Sequence, residues 1–183
     1  MSTPDATGTA ARTTRLDGVR SAVSFHHLSG LTAAVTYVVM VLGAYTSAIG
    51  AGLSCPDWPT CYGTWVPFLH SGVVADAPYT AVQIFAEWVH RGLAFALGFL
   101  ILGTVIAAWR WQRDRRLVVG AATLAVALLP LQVYLGRLTV TELLQPVVVT
   151  GHLSVALLIL LALSTATVGS WFGERTDAAV GGE

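Results

Sequence analysis

The chain has 183 residues, of which 55% are hydrophobic and only 11% charged, and its ten Arg balance ten acidic residues with no Lys at all. An ordinary soluble domain carries about 25% charged residues, so this composition excludes one and indicates a chain solvated by lipid. The balanced charge names no partner, and no segment is basic and aromatic enough to bind nucleic acid.

In chain order, residues 1–24 are polar and rich in Thr and Ala, with neither an apolar h-region nor a small-residue cleavage site at their end. They read as a disordered cytoplasmic tail, not a cleaved signal peptide. A spanning helix needs roughly 20 mostly apolar residues. Four segments qualify, near 28–49, 81–109, 117–140 and 146–168. Pro130 predicts a kink in the third, with Gln132 beside it to bond the freed carbonyl. Pro146 suits a first helical turn, where its missing N–H costs nothing. The predicted fold is an all-α membrane protein. It is a four-transmembrane-helix bundle of up-down topology over residues 25–172, with an outer loop at 51–80 and a second cytoplasmic tail at 173–183. Trp109, Trp111, Trp171 and Phe172 fall at the expected interface.

Arg placement gives the orientation. Arg12, Arg15, Arg20, Arg110, Arg113, Arg115, Arg116 and Arg175 all fall on one side, which is eight of the ten, and the long loop has none. Lys and Arg concentrate in cytoplasmic loops, so both termini are expected in the cytoplasm, the loop outside, and the chain in the plasma membrane. Arg91 and Arg137 lie near outer helix ends and need another reason.

A short internal repeat runs through the chain. Leu42-Gly43-Ala44-Tyr45-Thr46 ends the first segment and Leu135-Gly136-Arg137-Leu138-Thr139 ends the third. Each precedes an outer loop and then a helix with one His near its start, His90 or His152. Those histidines lie about nine and six residues into their segments, so both sit roughly 9–13 Å below the outer boundary at 1.5 Å per residue. The second and fourth helices of an up-down bundle face each other across the core. Two imidazoles at one level there can supply both axial ligands of a haem iron, and ionisable groups inside a membrane are costly and usually functional. The bland alternative is a buried His bonded to a neighbouring carbonyl.

Glu87, His90 and Arg91 share a helix face by their i, i+3, i+4 spacing. Glu87 is a candidate proton acceptor beside the haem, or simply the partner of Arg91 in an interfacial ion pair. Arg91 and Arg137 are candidate partners for haem propionates, or they snorkel to the interface. Cys55 and Cys61, in Cys-Pro-Asp-Trp-Pro-Thr-Cys, are placed to form a disulfide in an oxidising compartment. A structural staple fits their wide spacing better than a redox-active pair. His26, His27 and His70 read as surface or interfacial residues. Gly43, Gly50, Gly92, Gly98 and Gly103 read as sites of close helix packing.

The loop from Gly50 to Gly63, the Glu87-Trp88-Val89-His90-Arg91 motif, Val149-Thr150-Gly151-His152-Leu153 and the Leu-Gly-x-x-Thr helix ends together resemble the haem A synthase family, across roughly residues 42–161. The resemblance implies conversion of haem O to haem A by oxidation of the C8 methyl to a formyl group, in support of terminal oxidase biogenesis. It implies haem b as cofactor and haem O as substrate. His90 and His152 match the family's haem-holding histidines, Glu87 its glutamate, and Cys55 and Cys61 its outer-loop cysteine pair. Usual members have eight spanning helices in two related halves, and four are found here. A homodimer rebuilding the eight-helix assembly, or a partner half-protein, is therefore expected, with haem O synthase as a further candidate partner. The alternatives are a non-catalytic haem-binding or oxidase-assembly membrane protein, and a thiol oxidase passing electrons to quinone. Thiol oxidases of that type need two cysteine pairs, and the chain has two Cys in all.

Overall fold

The structure is a computed structural model that describes residues 24–180. The N-terminal tail expected over residues 1–24 therefore lies almost wholly outside the described residues. Four long helices carry the fold: α1 (Phe25–Ala48), α2 (Ala81–Trp111), α3 (Arg116–Thr141) and α4 (Pro146–Val180). All four are long and apolar enough to cross a membrane. Phe95, Phe99, Leu131, Val133, Val147 and Leu161 are exposed on their outer faces, as suits helices whose solvent is hydrocarbon.

Local chemistry sets the helix starts. Thr80 caps α2 with a reciprocal box: the Gln83 N–H donates to the Thr80 hydroxyl, and the Thr80 N–H donates to Gln83 Oε1 at 3.0 Å. Gln83 also donates from Nε2 to the Ile49 carbonyl at 2.9 Å, tying the start of α2 to the end of α1. Pro146 opens α4. α3 runs from Arg116 to Thr141 as one helix with Pro130 inside it. Gln132 bonds no carbonyl freed by that proline. Its Nε2 instead lies 3.5 Å from His152 Nε2, and its Oε1 is enclosed without a partner.

The C-terminal end departs from expectation. Residues 173–180 are helical, continuing α4, in place of the expected tail. Side-chain pairing explains the extra turns. Glu174 Oε2 lies 2.7 Å from His26 Nδ1, Arg115 donates to Asp177 at 2.5 Å and to the Ser170 carbonyl at 3.0 Å, and the Arg175 guanidinium stacks 4.0 Å over the Trp171 ring. His26 is thus part of a contact between helix ends, not merely a surface residue.

The helices pack as a ring: α1 with α2, α2 with α3, α3 with α4, and α4 with α1. Among the described residues neither diagonal pair brings Cα atoms within 8 Å. Neighbours run antiparallel. Thr32 meets Thr104 while Gly43 meets His90, and His26 meets Glu174 while Ser29 meets Thr167. An apolar cluster of Val39, Leu97, Ile101, Val155, Ile159 and Leu163 fills the middle of the ring. A second, with Phe25, Val105, Val118 and Ala166, fills the end nearest the α2–α3 turn. Hydroxyls bridge the helices there: Thr32 Oγ1 and Thr104 Oγ1 are 2.8 Å apart, and Thr167 donates to Ser29 Oγ at 3.0 Å. The pair has two protons for three contacts, so one hydroxyl donates to its carbonyl one turn back, Leu28 or Leu100, and the other donates across the helices. Interhelical hydrogen bonds of this kind contribute about 0.6 kcal/mol in membranes. Thr104→Val is expected to destabilise by about 0.5–1.5 kcal/mol, with a coupling to Thr32→Val readable in a double-mutant cycle of thermal unfolding in detergent.

Candidate functional site

The loop joining α1 to α2 folds back over the bundle. Gly50, at φ +68, turns the chain out of α1, and the Ala51 N–H donates to Thr46 O at 2.7 Å. Cys55 and Cys61 then stand with Cα atoms 4.6 Å apart and sulfurs at bonding distance. Both are fully enclosed, packed with Ile84 of α2. Tyr62 and Gly63 take left-handed conformations and close the turn, with Cys61 and Thr64 exchanging backbone hydrogen bonds at 3.0 and 3.2 Å. Asp57 holds this turn from within, accepting from the Thr60 hydroxyl and from the Gly63 N–H at 3.0 Å. Burial pushes the Asp57 carboxyl up, but those hydrogen bonds outweigh it and hold it below its ordinary value of 3.8. Trp88 of α2 donates to the Trp65 carbonyl at 2.7 Å and packs edge-on against Phe68.

Arg91 joins loop to helix. Its Nε donates to Glu87 Oε1 at 2.9 Å. Its NH1 donates to the carbonyls of Asp57 at 2.5 Å and Thr60 at 2.8 Å, and its NH2 to that of Cys55 at 2.8 Å. A guanidinium has five N–H donors, so a single one is left for any other ligand. Glu87 is 6% exposed. Both partners of this ion pair are largely buried, with side chains 14% (Arg91) and 7% (Glu87) exposed. Arg137 is exposed, with no side-chain partner among the described residues.

His90 and His152 occupy matching positions. A Cβ placed on Gly43 of α1 would lie 2.7 Å from His90 Cε1, and one on Gly136 of α3 would lie 3.1 Å from His152 Cε1. One turn on, Thr46 donates to the Gly43 carbonyl and Thr139 to the Gly136 carbonyl, both at 2.7 Å. The repeat seen in the sequence is thus a repeated contact: glycine under histidine, with a threonine bonded to the glycine. Nδ1 of each histidine is enclosed and has no hydrogen-bond partner. Buried polar atoms are normally satisfied, and these two nitrogens share their unpartnered state with Gln112 Oε1 and Gln132 Oε1. The helices bearing them, α2 and α4, form one diagonal of the ring. By contrast, a Cβ on Gly92, Gly98 or Gly103 would meet nothing within 4 Å, so the close-packing role expected of these three does not hold. His70 is exposed in the loop.

The polar residues are one-sided. Glu87 and Arg91 flank His90, while Val149 and Leu153 hold the equivalent places around His152. Gln132 approaches His152, where the matching residue in the first half is Val39. The sequence carries no sign of Arg91's carbonyl partners, because backbone acceptors leave no trace in residue type. The role of Gly43 and Gly136 had a sign, their identical place in the repeat.

These features describe a four-helix membrane protein with a pair of open imidazoles near one end of the ring and a cross-braced loop over it. The chain belongs to the cytochrome oxidase assembly protein family (COX15-CtaA), which it matches over residues 26–180. It is 34% identical to the heme A synthase of Shewanella oneidensis over 74% of its own length and 44% of the relative's. It is 35% identical to that of Symbiobacterium thermophilum over 65% and 37%. It is also 34% identical to a protoheme IX farnesyltransferase of Halobacterium salinarum over 65% of this chain and 23% of that protein. The chain thus spans less than half the length of these relatives. No solved structure matches it.

The loop yields two testable outcomes. Arg91→Ala removes a partner from a buried ion pair and orphans three carbonyls. It is expected to destabilise by on the order of 3–5 kcal/mol, with hydrogen exchange rising across residues 54–64 before the helices open. The lowered Asp57 value means that its stabilisation is fully present above pH 3.8 and is lost as pH falls through the folded value. Loop exchange should rise in that acid window, and Asp57→Asn should abolish the transition.

Proposed function

We propose that this protein converts haem O to haem A by oxidising the C8 methyl to a formyl group, with haem b as cofactor. The observation that carries the reading is the pair of enclosed, unpartnered imidazole nitrogens on diagonal helices, each histidine seated on a glycine. The residues present fit the group: two neutral nitrogen donors in an apolar ring suit a haem iron. His90 and His152 would hold it, and Arg137 with the remaining Arg91 donor would meet propionates. Bound haem b would supply an iron able to activate an oxidant. Glu87, enclosed beneath the loop, would take up a proton near the reacting methyl, and its bond to Arg91 keeps the carboxylate oriented. The loop, closed by a Cys55–Cys61 disulfide, would exclude water from the outer end.

The Arg distribution supports cytoplasmic termini and an outward cysteine loop in the plasma membrane. The proposed assembly is a homodimer or a pairing with a partner half-protein, in which two four-helix units would stand together. The match to proteins named for farnesyl transfer supports haem O synthase, which makes the substrate, as a neighbour in the membrane. A second reading, haem binding in oxidase assembly without conversion, draws on the family's description and on the partial length.

Product analysis separates the two. Expressed in a host that makes haem O, the chain should yield haem A in extracted haem. Glu87→Gln should retain bound haem and lower the product by about 10²-fold or more, while His90→Ala or His152→Ala should lose the bis-imidazole spectrum. A bis-imidazole spectrum without haem A, with any partner supplied, would leave the assembly reading standing and reject conversion.

A further inference from the structure

We propose that Gly43 and Gly136 are positioning residues, each setting the plane of one haem-ligating imidazole from the helix behind it. The inference rests on the haem reading and adds residues to it. Gly43 and Gly136 occupy the same place in the two Leu-Gly-x-x-Thr helix ends, and each lies directly against the histidine of the next helix. At Gly43 an added Cβ would stand 2.7, 3.2 and 3.4 Å from His90 Cε1, Nε2 and Nδ1, so it would press on the whole ring. At Gly136 the distances to His152 Cε1, Nδ1 and Nε2 are 3.1, 3.7 and 3.8 Å, a looser seat. Thr46 and Thr139 each bond the carbonyl of the glycine below and fix the backbone that forms the seat. The absent side chain leaves the ring its place, and its enclosed Nδ1 has no hydrogen-bond partner. Its orientation is therefore open to whatever sits under it.

The sign of the effect separates this from ordinary helix chemistry. An alanine replacing glycine within a helix normally stabilises it. Here Gly43→Ala should turn or push the His90 ring from its rotamer and weaken haem b binding by about tenfold. Gly136→Ala should do the same to His152 by about two- to threefold, given the looser contact. Gly103→Ala, where a Cβ meets nothing, should behave as wild type.

The experiment uses the full chain in detergent, loaded with haem b. Titration gives affinity, and the low-spin electron paramagnetic resonance signal and reduction potential of the bound fraction give ring orientation. General destabilisation would reduce the fraction loaded and leave that signature unchanged. Positioning shifts the signature of the haem that does bind. The apo protein gives a second readout, the Cε1 resonances of His90 and His152. The expected result is that Gly43→Ala moves the His90 resonance and Gly136→Ala that of His152. Should Gly43→Ala fail to fold, Gly136→Ala and the His152 resonance carry the test. Wild-type haem signatures and unmoved Cε1 resonances in the alanine variants would overturn the proposal. A wild-type protein that binds no haem, with the resonances still moving as described, would overturn the haem reading and leave the glycine contacts in place.

Discussion

The guanidinium of Arg91 is the contact through which the outer loop becomes part of the bundle. It reaches three carbonyls of the cysteine turn and the carboxylate of Glu87, and among the described residues no other side chain joins the turn to α2 as fully. A cation inside a membrane protein is expensive unless its donors are met, and here four of five are. The consequence reaches Glu87, whose position is set by a residue that is itself fixed by the loop. The loop and the carboxylate are therefore placed by one network, although they are drawn from separate stretches of the chain.

The two ends of the ring are built differently. Near the α2–α3 turn, hydroxyls and small side chains close the helices together, with Thr32 on Thr104 and Ser29 against Thr167. Toward the histidines, glycine takes over and the enclosed polar atoms are left unmatched. Gln112 Oε1, at the α2–α3 turn, is also enclosed without a partner, so the two ends differ in how the helices close together and not in polar satisfaction.

Much of this is legible in residue order alone. Helix existence and the start of α4 at Pro146 follow from apolar length and proline chemistry. The His90–His152 correspondence follows from a repeat only a few residues long. Other features are hidden for identifiable reasons. The last turns of α4 depend on His26 and Arg115, which are remote in sequence. Gln132 reads as a partner for a carbonyl near Pro130, because the proline is close in sequence and His152 is not. Gly92, Gly98 and Gly103 resemble packing positions by type alone, and composition cannot tell which face of a helix a glycine occupies.

The contact between His26 and Glu174 places the beginning of α1 beside the last turns of α4. Four helices running alternately up and down return the chain to the end of the bundle from which it started, and these two points are neighbours there. Such a unit can be joined to further membrane segments through a short linker on one side, without altering the sidedness of those segments or threading a connection across the bilayer. The relatives it matches over 44% and 23% of their length are longer chains. The geometry of its two ends makes the unit portable.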